Sequence, residues 1–444
     1  MDIAKRIDIL TQMRNNIFDC KKDILDALYT DLGKSKFESY MCELGIVLDE
    51  LNYTIKNIKQ WSKPKKVRTP LKLLGSKSYI YPKPYGSVLI ISPWNYPFML
   101  TLVPLISALA AGNTVTIKMS EYALATCNVV SKILQNLDAI TLVEPIESVG
   151  QKLLEQKWDY IFFTGSKRVG ELVAQAASST LTPITLELGG KCPCIILPSA
   201  NLALSAKKIA WGKFINAGQT CVAPDYIIIG NKQKNEFVHQ LKKYIQQFYG
   251  DSPIDNDFYP KIINQSHYQR ILALIDGNIL LGGEFNAQNQ KINPTLLDAK
   301  PNGRCMQEEI FGPVLPILTL PDQSTLELTK SIIQFVNSKD IPLALYVFGN
   351  QKESLQLLSQ MPSGGACVND ILIHLANHNL PFGGLGQSGL GNYHGKFGFA
   401  TFTHFQSILL SNKSKDYNFR YPPYNKKQKT LQLLRYLSKD KQND

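Results

Sequence analysis

The 444-residue chain is 44% hydrophobic and 19% charged, a globular composition able to bury a substantial core and long enough for two or three domains. Half of its +12 net charge lies in residues 413–444, where nine Lys or Arg face three Asp. With no zinc-finger, RNA-recognition or basic-zipper pattern, no nucleic-acid partner is expected; the basic tail suits a weak peripheral membrane contact or an interface. The eight cysteines lack disulfide-framework spacing, the charged N-terminal stretch is no signal peptide, and no apolar run approaches the roughly eighteen residues of a membrane span, so a cytoplasmic protein with reduced thiols is expected.

Apolar residues at helical spacing (Ile7, Leu10, Ile17, Ile24, Leu25, Leu28) predict two or more helices in the first 60 residues, broken after Trp61 by Ser62-Lys-Pro-Lys-Lys66. Residues 66–84 are basic, Pro-punctuated and β-leaning, as in an exposed hairpin arm. From Gly86, strands at 88–91, 114–118, 141–144 and 160–163 alternate with helices after Pro97 and from about Tyr122. That alternation predicts a parallel, doubly wound sheet, which binds ligands beyond the carboxyl ends of its strands. A second α/β series follows Gly190, with strands near 194–197, 226–229, 314–320, 343–348 and 365–368 and helices near 202–214, 236–249 and 326–337. Cys192 and Cys194 form a C-x-C with no second pair at zinc-like spacing, so they read as buried strand thiols and no metal site is expected.

Asn216-Ala-Gly-Gln-Thr-Cys221 places a cysteine beyond a helix on a glycine-containing loop. A thiolate there adds to an aldehyde carbonyl, and the adduct becomes a thioester on losing hydride; a buried, inert thiol is the alternative. Glu187, after an apolar strand and before Gly189-Gly190, has the surroundings that raise a carboxyl pKa and suit a base toward water, or it is a surface glutamate at a strand end. Asn95, in Ser92-Pro-Trp-Asn95-Tyr-Pro-Phe98, is either an oxyanion donor alongside the Cys221 backbone N–H or the cap of the following helix. The turn Gly165-Ser166-Lys-Arg-Val-Gly170 offers helix N-terminal donors to a pyrophosphate, although strand–Gly–helix turns are also common for packing. Lys118 and Glu121 after one strand suit an adenine ribose, and Glu309 and Phe311 a second ribose and a nicotinamide; surface charges at strand ends are the alternative for both.

In this order the segments resemble the aldehyde dehydrogenase superfamily over residues 5–424. The likeness is to the class 3 type, which includes fatty and aromatic aldehyde dehydrogenases, through Trp211-Gly-Lys-Phe214, Cys221-Val-Ala-Pro-Asp-Tyr226, Pro342-Leu-Ala-Leu-Tyr-Val347, Pro381-Phe-Gly-Gly384, Tyr393-His-Gly-Lys396 and Arg420-Tyr-Pro-Pro423. The resemblance implies an α/β fold of two doubly wound domains: an NAD(P)-binding domain (1–65 and 85–189) and a catalytic domain (190–400). It also implies a dimer-linking arm (66–84 and 401–412) ahead of the basic tail (413–444), and a homodimer. It implies oxidation of an aldehyde to the acid with Cys221 as nucleophile, Glu187 as base and Asn95 as oxyanion donor. Lys118, Glu121, Gly165, Ser166, Gly170, Glu309 and Phe311 become cofactor contacts. Medium to long aliphatic or aromatic aldehydes are the expected substrates; acyl transfer to coenzyme A, or a non-catalytic protein on this fold, are the alternatives. Two departures bear on the cofactor: Met119 stands where the family often has Pro, and Lys167-Arg168 make the phosphate turn basic. Glu121 favours NAD, and the added charge admits NADP. In the tail, Leu431, Leu434 and Leu437 fall on one face of a short helix.

Overall fold

The helical spacing near the N-terminus becomes the buried faces of helices Ile3–Asp19, Lys21–Leu32 and Gly45–Trp61, carried by Leu10, Met13, Ile17, Ile24, Leu28, Val47 and Leu51. The computed structural model describes residues 1–73, 75–322, 324–411, 421–424 and 427–438. Much of the expected basic tail (413–420, 425–426 and 439–444) therefore lies outside the described residues.

Strands β1 (Lys65–Val67) and β2 (Lys77–Pro84) pair antiparallel in the arm. Strands β3 (Ser87–Ile91), β4 (Thr114–Lys118), β5 (Ile140–Leu142), β6 (Tyr160–Thr164) and β7 (Ile184–Glu187) then form a parallel sheet in the order β7-β6-β3-β4-β5. Every residue of β6 is buried, which is why it reads as a continuous apolar run rather than an alternating one. The helix Met99–Ala111 is buried on all sides and apolar throughout apart from Thr101 and Ser107. The chain adds β4 and β5 on one side of β3, then β6 and β7 on the other, so the strand order reverses between β3 and β6. A crevice at the carboxyl ends of such a pair is where ligands bind in doubly wound sheets. Ser92–Asn95 and Gly165 leave from those two ends.

The second sheet contains β8 (Pro193–Ile196), β9 (Tyr226–Gly230) and β10 (Asn278–Leu281), a small hairpin of β11 (Phe285–Asn286) and β12 (Lys291–Ile292) intervening before β13 (Thr295–Ala299), β14 (Val314–Leu320), β15 (Ala344–Phe348) and β16 (Gly365–Val368). Its order is β10-β13-β14-β9-β8-β15-β16, parallel except for the edge strand β10. After it the chain returns to the first sheet. β17 (Gly389–Leu390) pairs antiparallel with β7, so this part of the expected 190–400 unit completes the cofactor-side sheet and covers its edge. β18 (Thr403–Leu410) pairs with β2 along eight residues, making the arm three-stranded. No described helix is long and apolar enough to cross a membrane.

Remote side chains finish the local elements. Ala123 precedes the helix Leu124–Leu134 without a side-chain cap, and Asp31 supplies one from the end of Lys21–Leu32, accepting from Ala125 N (3.1 Å), Thr126 N (2.8 Å) and the Thr126 hydroxyl (2.7 Å). Asp31→Ala is expected to lower the unfolding free energy by about 1–2 kcal/mol in urea titrations with an unchanged m value; an unshifted midpoint would show that the cap carries no stability.

Candidate active site

Cys221 sits on a loop that starts from a left-handed turn. Asn216 (φ 51°) and Ala217 (φ 49°), followed by Gly218 (φ 74°), reverse the chain after the helix Leu202–Phe214. Non-glycine residues hold this conformation only when their surroundings over-determine it. Here the Asn216 N–H donates to Glu38 (2.8 Å), the Asn216 amide to the Asn95 carbonyl (2.8 Å), and the Gln219 amide to the Asn216 and Lys261 carbonyls (3.0 Å each). A Cβ on Gly218 would lie 2.3 Å from the Gly312 carbonyl oxygen, so the backbones approach too closely for any side chain. Beyond the turn, the Cys192 thiol donates to the Cys221 carbonyl (3.4 Å) and the Tyr346 hydroxyl to that of Val222 (2.6 Å). Cys192 is a buried thiol at the strand entrance, as read from the sequence.

Glu187 ends β7, is 3% exposed, and neither of its carboxyl oxygens has a hydrogen-bond partner among the described residues. Burial alone pushes it well above the usual carboxylate range. Burial also pushes Glu309 up to about 8, with Asp225 as the next cause. Its carboxylate lies against the Gly189-Gly190 turn that follows Glu187: a Cβ on Gly189 would fall 1.9 Å from Glu309 Oε2. The Cys221 thiol, on a partly exposed residue, is pushed up to about 12, first by burial and then by Glu309 and Glu187, so both carboxyls act on it electrostatically.

The segment carrying Glu309 and Phe311 is gripped by charges that sequence reasoning missed. Lys191 Nζ donates to Asp225 (2.5 Å) and to the carbonyls of Cys305 (2.6 Å) and Glu308 (2.9 Å), while Asp225 accepts from Ile310 N (3.1 Å). Arg270 donates to the carbonyls of Glu309 (3.2 Å) and Ile310 (2.6 Å). Phe311 adopts a left-handed φ of 51°, and Trp94 meets its ring edge-on at 5.5 Å. Lys213, fully buried with no hydrogen-bond partner among the described residues, lies 4.0 Å from Asp225 and is pushed down to about 8 by burial.

Asn95 is not a helix cap. The helix begins at Met99, and its first amides are met by Glu43, which accepts from Phe98 N (2.9 Å) and Met99 N (3.2 Å). The Asn95 amide instead donates to the Gln219 carbonyl (3.1 Å), two residues before the cysteine. An amide nitrogen carries two hydrogens, so a second donor stays available beside Cys221. Elsewhere on the carboxyl side of the sheet, Lys118 pairs with Glu121 at 2.6 Å, Gly165 donates to the Glu187 carbonyl (3.0 Å), and Ser166 caps the helix Lys167–Thr180. Cβ atoms on Gly165 and Gly170 would meet the ends of the Phe163 and Leu188 side chains at 2.6 Å each, so close packing is one reason for glycine at both places. Met119 is fully buried, and of the two basic residues after the turn Lys167 pairs with Asp340 (3.3 Å).

Residues 1–408 match the aldehyde dehydrogenase family. The chain belongs to that family. It is 44% identical over 441 residues to the 4,4'-diaponeurosporen-aldehyde dehydrogenase of Staphylococcus aureus (strain NCTC 8325 / PS 47), covering 98% of this chain and 95% of the relative. It is 41% identical over 428 residues to the dimeric NADP-preferring aldehyde dehydrogenase of Canis lupus familiaris, covering 94% of this chain and 93% of the relative. The solved substrate-bound state of Staphylococcus aureus AldH superposes with a TM-score of 0.94 at 42% identity, covering 98% of this chain and 95% of that one. The aldehyde dehydrogenase is thus an oxidoreductase of aldehydes that works with NAD(P).

Because Cys221 is held protonated by burial and two carboxyls, its alkylation by iodoacetamide in the cofactor-free enzyme should keep accelerating past the ordinary thiol range of about 8.5. Glu309→Gln should bring the inflection down part of the way, burial being the larger cause. A wild-type plateau reached by about pH 9 would contradict this electrostatic account.

Proposed function

We propose that this aldehyde dehydrogenase oxidises medium to long apolar aldehydes to carboxylic acids through a thioester on Cys221. The observation that carries the reading is the convergence of three groups from separate elements: the Cys221 thiol, the unbonded Glu187 carboxyl, and an Asn95 amide anchored on the cysteine loop. The Cys221 sulfur adds to the aldehyde carbon as its proton passes to solvent water, and the Asn95 amide with the Cys221 backbone N–H donates to the developing oxyanion. Departure of hydride leaves the acyl group on sulfur as a thioester. Glu187 then takes a proton from the water that attacks it, and the acid and free thiol are released.

The residues fit a dinucleotide. Lys118 and Glu121 would hold the adenine ribose, the turn Gly165, Ser166 to Gly170 the pyrophosphate, and Glu309 with Phe311 the nicotinamide side. The helix Lys167–Thr180 follows β6 with only Gly165 and its cap Ser166 between, so its N-terminal amides stand at the carboxyl end of the sheet, which supports this assignment. When bound, NAD(P) supplies the hydride acceptor. Glu121 suits the free 2′-hydroxyl of NAD, while the NADP-preferring relative supports acceptance of NADP as well.

For the acyl chain, the support is the relative named 4,4'-diaponeurosporen-aldehyde dehydrogenase. A homodimer through the arm is also proposed: β18 is an edge of its three-stranded sheet with Phe405, Leu409 and Leu410 exposed, and the canine relative is named dimeric. A weak membrane contact is supported by the helix Gln428–Ser438, with Leu431 51% and Leu434 40% exposed; the Leu437 side chain lies outside the described residues.

NADH formation with aliphatic and aromatic aldehydes should vanish in Cys221→Ala. In Glu187→Gln, steady turnover should drop by about 10²–10⁴-fold behind a retained NADH burst, because acylation outlives loss of the base. In the wild type, turnover should rise with pH as the elevated Glu187 carboxyl ionises. Turnover that appears only after coenzyme A is added would instead make the enzyme a coenzyme A-acylating aldehyde dehydrogenase and remove the hydrolytic role of Glu187.

A further inference from the structure

We infer that the buried Lys34–Glu43 ion pair is the positioning device of the Asn95 amide. The inference rests on the reading of Asn95 as oxyanion donor. Neither side chain is exposed at all, and their charged atoms lie 2.6 Å apart. Lys34 Nζ also donates to the Asn95 carbonyl (2.8 Å) and stands 3.9 Å from the centre of the Tyr96 ring. Through its other oxygen Glu43 holds the amides of Phe98 and Met99. One ion pair thus grips residues 95, 96, 98 and 99 from the N-terminal helices.

The opposite side of the same turn is held by the cysteine loop. Asn216 donates to the Asn95 carbonyl, the Asn95 amide donates to the Gln219 carbonyl, and the Tyr96 and Thr220 hydroxyls lie 2.6 Å apart. Two donors on the Asn95 carbonyl fix the plane of the following peptide, and with it the direction in which the Asn95 side chain leaves the backbone. The Gln219 carbonyl then fixes the rotation of the amide, so that its second N–H has one direction left.

Stability gives little reason for charges at this place, because well-packed apolar residues of similar volume typically serve as well as a buried ion pair or better. An apolar pair has no donor for the Asn95 carbonyl and no acceptor for two helix amides. Lys34 and Glu43 touch no reacting atom; they act on aldehyde addition through the orientation of Asn95.

The test is a double-mutant cycle on the full-length enzyme. Lys34→Met/Glu43→Gln removes both charges while leaving an acceptor for the Phe98 and Met99 amides, and is made with Asn95 intact and with Asn95→Ala. With Asn95 intact, kcat for one aldehyde should fall by between about tenfold and about a hundredfold. KM and cofactor affinity by fluorescence should stay within about twofold. In the Asn95→Ala background the same two substitutions should change kcat no further. A full additional loss there, or an unchanged kcat with Asn95 intact, overturns the inference alone. A normal Asn95→Ala enzyme overturns the oxyanion reading as well. If the double variant does not fold, Lys34→Gln, which keeps a donor with shorter reach, runs through the same cycle and is judged by the same criterion of additivity.

Discussion

The left-handed turn at Asn216, Ala217 and Gly218 is the constraint on which the site depends. Two non-glycine residues in that region cost on the order of 1–3 kcal/mol each, and the turn persists because separate parts of the chain hold it. Glu38 holds it from the N-terminal helices, the Asn95 carbonyl from the first sheet, and Gln219 ties it to Lys261 and, by accepting from Ile263 N, to the second unit. The cysteine loop therefore takes its shape only when both sheets and the N-terminal helices are packed together. Folding and assembly of the surroundings of Cys221 are one event, and the Asn95 amide is fixed by the same bonds.

Inside that frame, two kinds of charge are treated differently. Lys191, Asp225 and Arg270 are satisfied by one another or by backbone carbonyls and amides, and they fix the segment that ends in Phe311. Cys221, Glu187 and Glu309 are acids placed close together with few compensating donors, and burial raises all three. Ionising any one of them makes the others harder to ionise, so the resting site favours neutral forms. A carboxyl raised in the folded state releases its proton first in the unfolded chain. Glu187 thus subtracts stability progressively as pH rises above about 4.3, and the subtraction stops growing once pH passes its raised folded value. The site is held neutral at the expense of the fold, and under the proposed function the same raised carboxyl is the base toward water.

How much of this was legible in the sequence follows from the range of each signal. Buried parallel strands announce themselves as short apolar runs, which is why 88–91, 114–118, 160–163 and 226–229 match β3, β4, β6 and β9 closely. Strand-end placement followed from the same pattern, and the structure brings Cys221, Glu187 and Asn95 to one place. What the sequence hid came from contacts that cross the chain. Of the two readings left open for Asn95 the cap fails, because the helix amides are met by Glu43, which looks like one more helix-surface acid in Glu38-Ser-Tyr-Met-Cys-Glu43. Lys34, Lys191, Asp225 and Arg270 likewise look like ordinary solvated charges, because nothing local distinguishes a lysine that will be buried by a helix dozens of residues away. The return of residues 389–390 to the first sheet was equally hidden, since two residues carry no periodicity.

That short return explains how Glu187 is both fixed and free. Its backbone is bonded on both sides: β7 places it opposite Thr164 of β6, the Gly165 N–H donates to its carbonyl, and Gly389 of β17 pairs with it from the other edge. Leu188 next along donates to the Ser388 carbonyl (3.1 Å), extending the clamp past the strand end. The segment that supplies β17 is itself tied down by Glu50, which accepts from Gly395 N (3.0 Å) and bonds His378 (2.8 Å). A carboxyl without a partner would normally drift or distort its strand to find one. With its main chain held from both edges, only the side-chain torsions of Glu187 remain to place the carboxyl, and the proposed role as base toward the thioester needs such a fixed pivot.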